Sequence, residues 1–138
     1  MLGHNASRVK IISALSPVAL AAAGSTAAYN LAGFEFATVL AQLGSGGSAG
    51  TNRVLINVMR SATSDGTFAG FGASLPNLSA NNQLYARSFS LDSSAGWYKV
   101  SYDNNNNGSH TMGIVIIAQA ARTAPVDQEG QTTVFSDV

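Results

Sequence analysis

The sequence predicts an all-β protein: a single β-sandwich or jelly-roll-like domain with extended N- and C-terminal arms. Apolar residues alternate with polar ones at period 2 in several short segments, which is typical of half-buried strands. Clusters of Gly, Pro, Asn, Asp and Ser separate these segments at the spacing of an all-β domain. The 138 residues suit one domain. We expect about six to eight strands within residues 9–124, and arms at residues 1–8 and 125–138.

The first predicted strand covers residues 9–15 and is apolar on both faces. Pro17 marks either its end or a position on an edge strand, because proline cannot donate a ladder hydrogen bond. The alanine-rich residues 19–28 could form a short helix, although Gly, Ser and Thr weaken it. Residues 34–41 alternate more clearly and lead into the glycine-rich loop 44–50.

Residues 53–60 predict the next strand and end at a turn containing Asp65-Gly66, where glycine is expected to supply a positive φ. Its inward residues are expected to be Val54, Ile56 and Val58. Residues 67–72 are rich in glycine and predict only a weak strand, and residues 76–83 predict a loop.

Three strands are predicted in the last third of the chain. Residues 85–91 alternate as a half-buried strand, and residues 97–102 form a short aromatic one. The Asn-rich residues 103–108 are expected to join the latter in a hairpin to residues 110–122. That segment holds the most β-branched run of the chain at residues 114–117, which predicts a core strand.

The surface is expected to carry unusually little charge. Only 10% of the residues are charged, with 7 basic and 7 acidic side chains, whereas 46% are hydrophobic. Small neutral residues fill the difference, with 22 Ala, 17 Ser and 11 Asn. A zero net charge with scattered basic residues disfavours nucleic acid as a partner. An uncharged surface favours association with protein.

The zero net charge is the sum of two oppositely charged parts of the chain. Residues 1–124 contain all seven basic and four of the seven acidic residues, a net charge of +3. The remaining acids are Asp127, Glu129 and Asp137, so the C-terminal arm carries −3. The arm can therefore dock electrostatically on a trimer-mate or on another neighbour.

None of the candidate metal-binding or catalytic motifs in the sequence is complete. Residues 103–108 match the start of a calcium-binding EF-hand loop, but the twelfth position is Ile114 where a carboxylate is required. His4 and His110 have no second ligand at metal-binding spacing. The chain has no cysteine, and its carboxylates lie in loops or tails with the exception of Glu35. We expect no metal, no cofactor and no enzymatic activity.

The N-terminal apolar run, residues 11–23, is similar in composition to a secretory signal peptide. We expect it to be retained as the first strand. Ser, Pro and Gly interrupt it, and it is shorter than the roughly 20 apolar residues of a transmembrane helix. We therefore expect no membrane partner.

The order of segments resembles the small β-rich decoration (cement) proteins that coat the heads of tailed bacteriophages. The matching segments are residues 9–20, 33–39 (GFEFATV), 64–68 (SDGTF), 96–101 (GWYKVS) and a final strand ending at 120–122 (AAR). The likeness covers most of the chain between the two arms. It implies a jelly-roll-like sandwich, assembled as a homotrimer on the outer surface of the capsid and without catalysis.

The sequence thus predicts a structural protein of the virion that binds the major capsid protein and stabilises a phage head. The residues expected to contact the capsid or other subunits lie in or beside the arms: His4, Arg8, Lys10, Asp127, Glu129 and Phe135. The alternative is a carbohydrate-binding or adhesin-type module of a tail or fibre, with Trp97 or the Asn-rich loop contacting sugar. Trp97 is expected on the strand face opposite Tyr98 and Tyr102, so the three would not form one stacking platform.

Overall fold

Nine β-strands and no helix form in the part of the chain that the computed structural model describes. That part comprises residues 9–46, 54–75, 78, 81–92, 94–104 and 109–121. The strands are β1 (Lys10–Leu20), β2 (Gly24–Ser25), β3 (Tyr29–Asn30), β4 (Phe36–Gly46), β5 (Leu55–Ser61), β6 (Ala69–Ser74), β7 (Gln83–Ser90), β8 (Trp97–Asp103) and β9 (His110–Gln119).

The strands form two antiparallel sheets. Sheet A has the order β1-β9-β4-β7, and sheet B has the order β2-β8-β5-β6, with β3 also pairing with β8. The predicted all-β sandwich is confirmed. Because the residues of a strand point alternately to opposite faces, each sheet contributes one face to a shared core.

The core follows the period-2 pattern of the sequence. Ile114 and Ile116 of β9 are buried in sheet A. From sheet B, the predicted inward residues Val54, Ile56 and Val58 are buried as well, which confirms that prediction. On β4 the buried face carries mostly smaller side chains than the outward face. The buried residues are Ala37, Val39, Ala41 and Leu43.

Pro17 lies on an edge strand, as one of its two predicted alternatives required. Among the described strands β1 pairs only with β9, and it continues through Pro17 to Leu20. The pairing shifts register between Ser13 and Leu15 and again between Leu15 and Val18. Such irregularities on an edge accommodate the missing donor of proline.

The predicted hairpin between the last two strands is wrong. β8 lies in sheet B beside β5, whereas β9 lies in sheet A between β1 and β4. The connection therefore crosses from one sheet to the other. The apolar run of β9 needs a central position with neighbours on both sides, and the local sequence of the connection carries no information about which sheet supplies that position.

Two further segments differ from expectation. The short helix considered within residues 19–28 does not form; the end of β1 and the short β2 occupy this region. The glycine-rich stretch expected to be a weak strand contributes to β6, which pairs with β5 across a register shift. Pairing with a well-formed neighbour compensates for the low intrinsic strand preference of glycine.

The turn at Asp65-Gly66 is confirmed, but its physical basis is not the one predicted. The Gly66 N–H donates to the Thr63 carbonyl at 3.3 Å. Gly66 is not among the glycines with positive φ. A Cβ atom there would instead lie 2.5 Å from the Ser61 Oγ and 2.6 Å from the Thr63 Oγ1. A side chain at this position would force these two hydroxyl groups to move.

Candidate binding face

Lys10 is the one predicted contact residue within the described part of the chain. Its side chain is 4% exposed, and its ammonium group donates a hydrogen bond to the Asn30 carbonyl at 3.2 Å. Lys10 thus links β1 of sheet A to β3 of sheet B. Its contact with a neighbouring subunit stays a prediction, and the burial leaves little of the side chain to make one.

The other predicted contact residues lie outside the described residues. They are His4, Arg8, Asp127, Glu129 and Phe135. The predicted arms at residues 1–8 and 125–138, and most of the Asn-rich loop, also fall outside.

His110 is the described histidine, and it is fully buried. It begins β9 and pairs with Leu20 of β1 and Gly46 of β4. Within the described ranges, no group of three or more His, Cys, Asp and Glu side chains is placed to hold a metal ion.

An ionic and aromatic cluster joins the two sheets at the β7 side of the sandwich. The Arg60 guanidinium contacts the Asp92 carboxylate at 3.2 Å and lies 4.7 Å from the centre of the Phe71 ring. Phe71 packs edge-on against Phe89 and Tyr98, with ring centres 5.4 and 5.9 Å apart. Tyr98 is buried, and its hydroxyl accepts a hydrogen bond from the Asp92 N–H at 2.9 Å. Tyr98 is therefore a core residue, as its alternating position favoured.

The pKa of Asp92 lies below its ordinary value of 3.8. The backbone N–H of Ser94 is the main cause, since it donates to the carboxylate at 2.9 Å, and the Ser94 hydroxyl donates to the same oxygen at 2.8 Å. Desolvation raises the pKa by less than these hydrogen bonds lower it, and attraction to Arg60, the smallest of the four effects, lowers the pKa as well. A lowered pKa means that the folded state favours the charged form.

Replacing Asp92 with asparagine is expected to reduce stability at neutral pH, and the deficit should shrink in acid. The stabilisation from ionised Asp92 is fully present above the unfolded pKa and is lost as the pH falls through the lower folded pKa. Urea unfolding of the wild type and Asp92→Asn at about pH 6.5 and about pH 2.5 measures this change. Ser94→Ala should lose only part of the effect because the backbone donor remains. An equal deficit of Asp92→Asn at both pH values would contradict the assignment.

The outer face of sheet A has a different character. Its outward residues come from alternate positions of all four strands, and we call this set the uncharged face. They are Ile11 and Ser13 of β1, Thr111, Gly113, Val115, Ile117 and Gln119 of β9, Phe36, Thr38, Leu40, Gln42 and Gly44 of β4, and Leu84, Ala86, Ser88 and Ser90 of β7. None of them is charged.

The uncharged face contains a groove with a mainly apolar lining. Leu40, Leu84, Val115 and Ile117 line a groove of about 370 Å³. Leu84 is 61% exposed and Phe36 is 48% exposed. Large apolar side chains grouped on one exposed surface mark an interaction site more often than single ones do.

The outer face of sheet B differs in charge. It carries Lys99, whose ammonium group lies 4.5 Å from the centre of the Phe68 ring, and Asp103 at the end of β8. Trp97 lies half-buried on this face, on the opposite side of β8 from Tyr98. The absence of charge is therefore a property of one face of the described sandwich rather than of both.

Sequence reasoning did not identify the uncharged face. The signal was present, because residues 36–41 and 114–117 carry apolar side chains on both sides of their alternation. An apolar run of this kind predicts a strand buried on both faces. One face of each strand is buried in the sandwich, and the other faces outward.

No family model and no curated protein sequence matches the chain. Among the described residues, there is no helix of the length and apolarity needed to cross a membrane.

Several solved structures are similar to most of this chain. A chain of infectious bursal disease virus, Gx strain, has a TM-score of 0.47 and 11% identity over 82% of this chain, which spans about a third (32%) of that viral chain. The SPBc2 prophage-derived protein YomS has a TM-score of 0.45 and 14% identity, covering 79% of this chain and 94% of its own. The pre-peptidase C-terminal domain of a Bacillus anthracis collagenase has a TM-score of 0.42 and 12% identity, covering 80% and 86%.

Proposed function

We propose that this protein is a non-catalytic structural component of a virus particle, a decoration protein that binds the major capsid protein on the outside of a phage head. The uncharged face of sheet A is the observation that carries the proposal. It gives the chain a surface with an apolar groove, to which a protein partner can bind without desolvating a charge.

The proposed mechanism is burial of apolar area across the joints between capsid subunits. Each decoration subunit would contribute a modest contact, and copies joined as a homotrimer would bind together with higher avidity. The Arg60–Asp92 pair and Tyr98 have a structural role in this proposal, since their contacts hold the two sheets together.

Placing a lysine on the uncharged face is expected to weaken particle binding strongly. Leu84 and Phe36 are the most suitable positions because both side chains are exposed, so Leu84→Lys and Phe36→Lys should fold normally. A buried, unpaired ammonium group should weaken binding at least about tenfold. The measurement is co-sedimentation with heads assembled from the major capsid protein encoded by the same genome and lacking this chain. Light scattering of each free variant reports whether it is a trimer.

Asn57→Lys is the matched control, since it adds the same charge to an exposed position on the outer face of sheet B. It should bind heads as the wild type does. Equal loss in Asn57→Lys and Leu84→Lys, or normal binding by both variants of the uncharged face, would overturn the proposed binding surface.

A further inference from the structure

β7 is an edge strand, since its side away from β4 pairs with no strand of the described residues. It pairs with β4 through eight consecutive positions, from Gln83 opposite Leu43 to Ser90 opposite Phe36, without a register shift. The two other long edges are irregular, because β1 contains Pro17 and two register shifts and β6 is joined to β5 across a shift. A regular edge presents a row of backbone groups that can pair with a further strand.

A second copy of β7 can be added to this edge by two-fold symmetry. The two strands are then antiparallel, and both copies keep their cores on the same side of the joined sheet. Because directly opposite residues point to the same side of a sheet, the two residues of a pair must both be even-numbered or both odd-numbered. Two such registers pair seven residues of each strand, and all others pair five or fewer.

Arg87 distinguishes between the two longer registers. Its side chain is exposed, lies opposite Val39 on the core side of sheet A, and makes no ion pair with a described residue. In one register Arg87 faces Arg87 of the second copy, and like charges at facing positions are destabilising. In the other register Arg87 faces Tyr85 of the second copy. A guanidinium group beside an aromatic ring is attracted to it, so the second register is favoured.

The favoured register also pairs the uncharged residues on the other side of β7. Leu84 faces Ser88 of the second copy, and Ala86 faces its own counterpart at the two-fold axis. Leu84 is 61% exposed in the single chain, and pairing covers part of its apolar surface. The contact therefore combines backbone hydrogen bonds with apolar burial on one side and Arg87–Tyr85 contacts on the other.

We infer that two copies of this chain associate through β7, as antiparallel strands in the register that places Ala86 opposite Ala86 and Arg87 opposite Tyr85. The two copies of sheet A then form one continuous sheet of eight strands, and their uncharged faces form one surface. A two-fold contact cannot close a three-fold ring, so the proposed homotrimer would use a different part of the chain. The inference does not depend on the proposed function, and its tests use the free protein without heads.

Association through one strand edge is expected to be weak. Seven paired residues should bury less than the roughly 1,200 Å² of stable interfaces, so we expect a dissociation constant of about 10–500 µM. Sedimentation of the wild type over this range of concentration should show a twofold increase in mass. A mass that stays constant up to about 1 mM would overturn the inference.

Disulfide trapping tests the register, because the chain has no cysteine of its own. In Ala86→Cys, the thiols of two copies would face each other, with Cβ atoms about 5 Å apart. In the control Ser88→Cys, the two thiols would lie four residues apart along the strands, about 13 Å. Under mild oxidation, Ala86→Cys should form disulfide-linked dimers at least about tenfold faster than Ser88→Cys. Equal rates, or faster trapping of Ser88→Cys, would overturn the register.

Charge exchange at residue 86 is a second test, because only a residue that faces its own counterpart responds in this way. Ala86 is exposed, so Ala86→Lys and Ala86→Glu should both fold normally. Each variant alone should dimerise about two- to fivefold more weakly than the wild type, since like charges face each other. An equimolar mixture of the two should associate at least about fourfold more tightly than either variant alone.

Ser90→Lys is the matched control, since it adds the same charge to the same face of β7 at a distance from the two-fold axis. It should dimerise within about twofold of the wild type. A mixture of Ala86→Lys and Ala86→Glu that associates no more tightly than its components would overturn the assigned pairing, as would equal weakening by Ser90→Lys.

Discussion

Replacement of Ile116 by alanine is expected to lower the free energy of unfolding by about 3–4 kcal/mol. Ile116 lies in the middle of β9 and faces the core, paired with Ile12 of β1 and Val39 of β4, and all three are buried. The truncation removes three carbon atoms where strands on both sides prevent the backbone from closing the cavity. Urea unfolding at 25 °C measures the loss, which should appear as a lower midpoint with little change in slope.

Ile117→Ala is the matched control because it makes the same truncation one residue later, on the uncharged face. Ile117 is half-buried, so its loss of stability should be about 1 kcal/mol. Ile116→Ala and Ile117→Ala should therefore differ in whether they mainly lower the stability of the fold or the affinity for heads. Ile116→Ala should mainly destabilise the fold, and Ile117→Ala should mainly weaken attachment to heads. Equal destabilisation by both would contradict the assignment of inner and outer faces.

The alternation of apolar residues was enough to predict the fold class and many inward positions. In β5 it identified Ile56 and Val58 correctly, because a strand with one face in the core carries its pattern in consecutive residues. It did not predict which strands are neighbours. β8 and β9 are adjacent in the sequence and belong to different sheets. That choice depends on packing between distant segments, which a local pattern does not encode.

Lys10 shows a second limit of sequence reasoning. A basic residue beside a predicted arm suggested a contact with another subunit, and charged residues are usually exposed. In the fold, the ammonium group reaches the carbonyl of Asn30 on the opposite sheet. Its long aliphatic stem can lie along the apolar interior while the charge meets a polar group near the edge. Only the arrangement of β1 next to β3 makes this position available.

The uncharged face and the β7 edge belong to the same sheet, and this relation explains why both escaped the sequence analysis. The face depends on which strands are neighbours in the sheet, and the edge depends on which strand has no described neighbour on one side. Leu84 belongs to both, since it is an outward residue of β7 and lines the groove. A strand added to β7 would therefore widen the uncharged face as well as close the edge.

Replacement of Gly46 by alanine is expected to lower the free energy of unfolding by about 2–4 kcal/mol. Gly46 ends β4 opposite His110, after a register shift from Leu43, with a φ of +121° that L-residues rarely adopt. An added Cβ would lie 2.5 Å from the backbone carbonyl oxygen of Ser109, so the start of β9 would have to move.

Gly70→Ala is the control for Gly46→Ala, and thermal and urea unfolding of the two variants decide the comparison. A Cβ at Gly70 meets no atom within 4 Å, and Gly70 has no positive φ. Its substitution should change stability by less than about 0.5 kcal/mol. The fully buried His110 adjoins the strained junction, so Gly46→Ala should also increase hydrogen exchange at the first amides of β9, whereas Gly70→Ala should leave them protected. Similar stability and exchange in the two variants would show that the β4–β9 junction does not need glycine.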